Sequence, residues 1–363
     1  MRRSHVFVVS TATVVLTALV AAVAALAVTG GPIRALNPAR LPVLPRQGLI
    51  VEQGNGVLLE TTGGGVIGRL AGFSVAPPQN LAGRRFGRSV AIGALVGADP
   101  RLTVLFDRAG DGWILDVVNR RMSRMAKIEA PLAGGAEIKI ILDGKPSTGW
   151  STKTLIERNG TKLLEGLFVA VIDDRYATTT YDLGPHPTEL LDLVSGRRVS
   201  VQPHCTAVGV LGTDVIATCV PLMAAQPSTL YLFKRDGSAR LLSTFVPGLT
   251  PASAWLSPNG RWVLLYLQPN CGLGWAAIAS TEGGPVRLVG GIGAITDPRS
   301  AAPQFSDPLG WTNTNQMVVT IVSKNPPGCS GVPSAGTFVV GPSNLTRHRA
   351  TVASASELWG RRT

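Results

Sequence analysis

The ten residues from Ser257 to Tyr266, SPNGRWVLLY, limit the fold more than any other stretch of the chain. Pro258 fixes its own φ, and Asn259-Gly260 tolerates a positive φ, so the segment opens on a tight turn. Beyond the turn, Trp262, Leu264 and Tyr266 point to one side of a strand and Val263, Leu265 and Leu267 to the other. Both sides are apolar. A strand of a two-layer sandwich alternates apolar with polar, whereas this one expects cover on both faces. A sheet held between two similar sheets meets that need, which is the situation of a propeller blade. A generic hairpin of another all-β protein is the competing reading. Downstream, Trp275 to Ser280 reads as a third strand, Glu282-Gly283-Gly284 as a turn, and Val286 to Val289 as a fourth strand.

The stretch also resembles the SPDGKWLAY-like signature of TolB-type and WD40-like periplasmic propeller repeats. Ser257, Pro258, Gly260, Trp262 and Tyr266 match it, Asn259 and Arg261 vary it, and one copy is clear. The resemblance covers about ten residues and implies a β-propeller outside the cytoplasm.

From Leu49 onward a pattern recurs: an apolar strand, a tight Gly/Asn/Asp turn, then a strand carrying basic residues. The later turn tips, at Gly160, Gly196, Gly237 and Gly284, lie 36, 41 and 47 residues apart, which is the length of a four-stranded blade. Leu190 to Val201 and Leu230 to Leu242 are the clearest outer hairpins. The count reaches seven blades. The first, Gly48 to Leu70, lacks an obvious innermost strand, and Ser354 to Trp359 would supply it and close the ring. The reading is an all-β fold, a single β-propeller of seven blades over residues 48–363. Six blades with loose ends, or a sandwich or two small barrels, are the alternatives. Forty-two Gly, 26 Pro and only 15% charged residues suit many short strands.

Ahead of the propeller, Arg2 and Arg3 precede an uncharged run from Val6 to Ala27. Those 22 residues would span about 33 Å as a helix, enough for a hydrocarbon core. Residues 1–31 therefore read as a signal anchor with one transmembrane helix; cleavage after Ala25-Leu26-Ala27 would instead secrete the protein. Arg2 and Arg3 place the N-terminus inside, while Arg34, Arg40 and Arg46 argue the other way. The cysteines decide for N-inside, with the bulk of the chain extracytoplasmic. Residues 32–47, with Pro32, Pro38, Pro42 and Pro45, read as a stiff extended tether.

There are four cysteines, none in a CxxC pair, and four scattered histidines, so no metal site is expected. Cys205 and Cys219 are symmetric about Gly212. An antiparallel hairpin turning at Leu211-Gly212-Thr213-Asp214 would set them face to face, within disulfide reach. Cys271 and Cys329 each follow a buried strand in neighbouring blades, and a bridge between those blades is reachable. Four free thiols in a cytosolic protein is the alternative, which the apolar run opposes.

The net charge of +12 rests mainly on Arg, 27 against 7 Lys. No cluster interleaves with aromatics as a nucleic-acid surface needs, so no nucleic-acid partner is expected. The expected partners are a protein, an anionic cell-envelope polymer, and the membrane through the N-terminal helix. No cofactor is expected, because no phosphate loop or dinucleotide glycine pattern sits between a strand and a helix. Gly72 to Ala76 and Gly87 to Ala91 lack the last Gly of a GxSxG elbow. The sialidase-type Asp box is absent. No catalytic residue is assigned.

A ligand face would be built from loops between second and third strands and those joining blades: Arg108 and Asp111, Lys145 and Trp150, Asp182 and His186, Trp275, and Lys324. The function read from the sequence is a binding scaffold. A propeller enzyme, a glycan hydrolase or lyase using loop carboxylates such as Asp111 and Asp182, is the alternative.

Overall fold

A computed structural model describes residues 33–145, 149–167, 169–179, 187–221, 226–245, 248–268, 274–289, 305–322, 334–351 and 354–360. They form seven four-stranded antiparallel sheets, each a blade of a β-propeller. Blade 1 contains β1 (Gly48–Gln53), β2 (Gly56–Thr61) and β3 (Val66–Ala71). Blade 2 contains β4 (Phe73–Ser74), β5 (Val104–Asp107), β6 (Gly112–Asp116) and β7 (Arg121–Arg124), with a helix, α1 (Gly83–Ala98), between β4 and β5. Blade 3 runs through β8 (Glu129–Pro131), β9 (Ala136–Lys145), β10 (Gly149–Arg158) and β11 (Thr161–Gly166). Blade 4 runs through β12 (Val169–Ile172), β13 (Tyr176–Thr179), β14 (Pro187–Asp192) and β15 (Arg198–Pro203). Blade 5 holds β16 (Cys205–Leu211), β17 (Asp214–Cys219), β18 (Thr229–Phe233) and β19 (Ala239–Thr244). Blade 6 holds β20 (Thr250–Leu256), β21 (Trp262–Gln268), β22 (Trp275–Ser280) and β23 (Arg287–Leu288). Blade 7 holds β24 (Ser306–Trp311), β25 (Met317–Val322), β26 (Ser334–Val340) and β27 (Arg347–Thr351).

Blade 1 takes its innermost strand from the far end of the chain. Strand β28 (Ala355–Trp359) pairs antiparallel with β1, Leu49 opposite Leu358 and Gly48 opposite Trp359. The seven-blade count and the closing strand are as the sequence leads one to expect.

Strand β21 shows why the blades stack. Val263, Leu265 and Leu267 join one core with Ile216, Leu230 and Leu242 of blade 5. Leu264, on the opposite face, joins another with Trp311, Met317 and Val319 of blade 7. The other seams repeat the arrangement. Leu49 and Val51 meet Leu309 and Val318, Ile50 and Leu59 meet Leu105 and Leu115, and Leu190 and Val201 meet Val215 and Phe233. Apolar area on both faces of each sheet leaves water at these seams, which is the main force closing the ring.

Arginines stitch the rims of neighbouring blades. Arg240 of β19 donates to the carbonyls of Thr281 and Glu282 in the blade 6 turn, both at 3.1 Å. Arg287 of β23 does the same to Ser343 and Pro342 in the blade 7 turn, at 2.8 and 2.6 Å. Arg198 and Arg158 reach the carbonyls of Leu163 and Leu193 across the seam between blades 3 and 4. A planar guanidinium fork suits two turn carbonyls at once, where an ammonium does not.

The helix α1 is the element the sequence reading does not contain. It is wedged between blades 2 and 3. Its Ile92 and Leu95, fully buried, share a core with Phe106 of β5 and Ile138 and Ile156 of blade 3. Ser89 donates to the carbonyl of Gly110 at 2.9 Å. Gly87 lies against the Trp150 ring so closely that a Cβ there would sit 2.8 Å from it.

The segment before β1, expected as an extended tether over residues 32–47, is docked on the ring from residue 33 onward and turns at Asn37–Arg40. Ala35 bridges to Arg69 of β3. Met122 donates to Pro38 at 2.7 Å, and Leu41 donates to Arg120 at 2.8 Å. Leu36, Leu41 and Leu44 are buried against blades 1 and 2. Apolar leucines spaced through the Pro/Arg-rich run hold it down. Among the described residues no helix is long and apolar enough to cross a membrane; Val6 to Ala27 lies outside them.

Candidate binding site

A cavity of about 660 Å³ opens along the inner strands of blades 4, 5 and 6. Ala170 to Ile172 of β12, Thr206 to Val208 of β16 and Thr250 to Trp255 of β20 form its wall. The C-terminal end of α1, Val96 and Gly97, together with Pro100, lines it as well. The lining mixes alanines with the hydroxyls of Thr178, Thr206, Thr218, Thr250 and Ser253. No charged side chain lines it among the described residues. Small residues on inner strands leave space that larger ones would fill, and the hydroxyls offer hydrogen bonds in either direction.

The helix end beside the cavity is pinned by an ion pair. Asp99, fully buried, accepts from Arg101 through both oxygens, at 2.7 and 2.6 Å. Burial alone would depress the Arg101 guanidinium; the hydrogen bond and charge of Asp99, with Asp174 and Asp173 behind, outweigh it and raise it further. At the side of the first-to-second-strand turns, Pro258 to Gly260, Gly212 and Asp173 line a second cavity of about 290 Å³.

Of the ligand-face residues read from the sequence, those described fall at connections between second and third strands. Arg108 is exposed, lines a shallow pocket with Gly72, Phe73 and Asp107, and has no ion-pair partner among the described residues. Asp111 pairs with Arg124. Its loop is shaped by Asp107, which accepts from Ala109 and Asp111 backbone N–H groups and from Trp113 Nε1. Lys145 ends β9 opposite Gly149, and Trp150, the second residue of β10, has its ring against α1. Trp275 is buried and stacks on Phe305, centroids 5.0 Å apart. Asp182, His186 and Lys324 lie outside the described residues, as do Cys271 and Cys329. Cys205 and Cys219 are directly opposite in the β16–β17 hairpin and form a disulfide, Cα atoms 4.0 Å apart.

The axial cavity itself was missed by sequence reasoning, because its lining residues are uncharged and spread over three blades and the end of α1. The helix had a signal. Ala91, Ile92, Leu95 and Ala98 recur at helical spacing, although Gly87, Gly93 and Gly97 lower the propensity of that stretch. Among the described residues no group of three or more His, Cys, Asp and Glu side chains is placed to hold a metal.

No family model matches the sequence, and no curated protein matches it significantly. Among solved structures the chain is similar to TolB from Acinetobacter baumannii, with 12% identity over 71% of this chain and 61% of that one, at a TM-score of 0.37. It is similar to a putative TolB from Agrobacterium tumefaciens, with 13% identity over 52% and 76% of the two chains and a TM-score of 0.33. It is also similar to an acylaminoacyl peptidase from Pyrococcus horikoshii, with 8% identity over 84% and 52%, at a TM-score of 0.44. The match thus spans less than two thirds of the first TolB chain and about half of the peptidase. TolB is among the propellers this chain resembles, as the Ser257–Tyr266 stretch leads one to expect. At these TM-scores the likenesses carry no argument; the seven-bladed propeller rests on the sheet order.

Proposed function

We propose that this chain is a membrane-anchored, extracytoplasmic propeller that serves as a binding scaffold and takes a segment of a partner protein into its axial cavity. The observation that carries the reading is the cavity lining. A lining of alanines, valines, Ile172 and Trp255 with threonine hydroxyls, and no charged side chain among the described residues, suits an uncharged stretch of polypeptide better than an anionic polymer or a reacting substrate. The location is supported by the apolar run Val6 to Ala27 and by the Cys205–Cys219 disulfide, a bond that persists in oxidising compartments. Against a glycan hydrolase or lyase weighs the pairing of Asp111 with Arg124, which ties up a carboxylate that such chemistry would use.

The test is a photo-crosslinking amino acid at Ala252, incorporated in the full chain in its native membrane. A discrete protein adduct is expected, and Ala170→Trp with Ala252→Trp, which fill the cavity, should abolish capture by a second crosslinker at Thr206. Absence of any adduct, together with glycan turnover that Asp111→Asn removes, would replace the scaffold with the enzyme.

A further inference from the structure

The rim of blade 2 carries a second surface. The docked segment runs antiparallel to the start of β7, with Pro38 bonded to Met122 and Leu41 to Arg120. That course gathers Arg40, Arg120 and Arg121 at one edge, all exposed. Two residues beyond Leu41 and two before Arg120 stand Val43 and Val118, which are 69% and 88% exposed. Neither Arg40 nor Arg120 has an ion-pair partner among the described residues. Asp116, the carboxylate at this tip, is hydrogen bonded to the backbone and side-chain amides of Asn119. Arg120 also holds a left-handed φ of 53°, a conformation that glycine or asparagine adopts at less cost.

We infer that this edge rests on an anionic lipid surface, its arginines at the phosphates and its two valines in the headgroup layer. The inference depends on the anchor proposed above. Between Ala27, the last residue of the apolar run, and Ile33, the first described residue, lie five residues. Fully extended they reach about 20 Å, so an inserted anchor keeps Ile33, where the docked segment that carries Arg40 begins, within that distance of the membrane. Exposed aliphatics beside Arg40 and Arg120, with Arg121 opposite Asp116 on the neighbouring strand, fit an interface where charge meets hydrocarbon. A soluble polyanion would use only the arginines. A second copy of the chain would set like charges against each other.

The same surface gives another reason for Arg40 to follow the apolar run. Arg40 is placed by the folded rim, so its charge serves the lipid contact and need not set the orientation of the anchor.

The test places an encoded environment-sensitive fluorophore at position 118 of the full chain in nanodiscs. Phosphatidylcholine discs are compared with discs containing phosphatidylglycerol. A blue-shifted, brighter emission is expected only with phosphatidylglycerol. It should fall about fivefold in Arg40→Glu/Arg120→Glu/Arg121→Glu and fade for the unaltered arginines in about 1 M salt. Equal emission in the two lipids overturns the inference, as does a response to soluble polyphosphate with none to phosphatidylglycerol. Retention of the chain in membranes washed with alkaline carbonate reports on the anchor separately. Release there would sink the anchor, whereas retention without a lipid-dependent emission would sink only the rim contact.

Discussion

Gly48 and Trp359 lie opposite each other where the first and last strands of the ring meet, and a Cβ on Gly48 would fall 2.1 Å from the Trp359 ring. The ring is fully buried, and its Nε1 donates to the carbonyl of Pro45 at 3.2 Å. The seam therefore closes on an aromatic ring seated over bare backbone. Gln47 completes it, donating to the carbonyls of Trp311 and Gly360 and accepting from Asn313.

Gly48→Ala should displace that ring and lower stability by about 2–3 kcal/mol, within the range for overpacked cores. Trp359→Ala should cost about 3–5 kcal/mol through the void it leaves. Chemical denaturation followed by tryptophan fluorescence would measure both. A Gly48→Ala protein as stable as the parent would mean that the seam is looser than its geometry.

Replacing the rim arginines should weaken the ring without touching its core. Arg240→Lys or Arg287→Lys keeps the charge but can satisfy only one of two turn carbonyls, a loss of about 1 kcal/mol each. Since the two seams share no partner, the double variant should lose the sum. Additivity in thermal unfolding is the measurement. No loss in either single variant would show that water replaces the fork at no cost.

Opening Cys205–Cys219 should destabilise blade 5. The bridge closes a loop with a sequence separation of 14 residues, for which the chain-entropy account gives about 3 kcal/mol. Cys205→Ala/Cys219→Ala should unfold at correspondingly lower denaturant. Peptide mass mapping of the unreduced protein should find these two cysteines joined.

Two carboxylates should pull the pH dependence of stability in opposite directions. Burial pushes Glu60 above its ordinary value of 4.5, against the opposing hydrogen bond from Thr351. Its contribution is whole below that value and is lost as pH rises through the raised one, so Glu60→Gln should gain stability over the parent towards pH ~8. Asp192 is held below its ordinary 3.8 chiefly by the Arg175 guanidinium, with burial opposing and the Val194 and Ser195 amides assisting. That contribution is present above 3.8 and disappears as pH falls, so Asp192→Asn should be weaker near neutrality and equal to the parent in strong acid. Melting temperatures of both variants across pH would decide. Parallel curves for either variant would remove its carboxylate from the account.

How much of this was legible in the sequence differs by element. Strand β21 announced itself because covering both faces requires only that neighbouring side chains be apolar, which is local information. The hairpin of Cys205 and Cys219 was legible because pairing about Gly212 follows from symmetry. The closing strand followed from counting, since blade 1 lacked an inner strand and Ser354 to Trp359 lacked a partner. The helix was not found, because glycines at 87, 93 and 97 make it a poor helix former on its own. It is held by the burial of Ile92 and Leu95 between two blades, a tertiary effect. The arginine excess suggested no use from the sequence, and Arg240 and Arg287 give part of it a structural one that only the turn carbonyls reveal.

Because β28 comes from residues 355–359, the inner edge of β1 has no partner until some three hundred further residues have been made. A product that stops early would present unpaired backbone groups ready to recruit any passing strand. Residues 355–359 thus separate closed rings from open ones, and a protease that favours bare strand edges would remove the latter selectively.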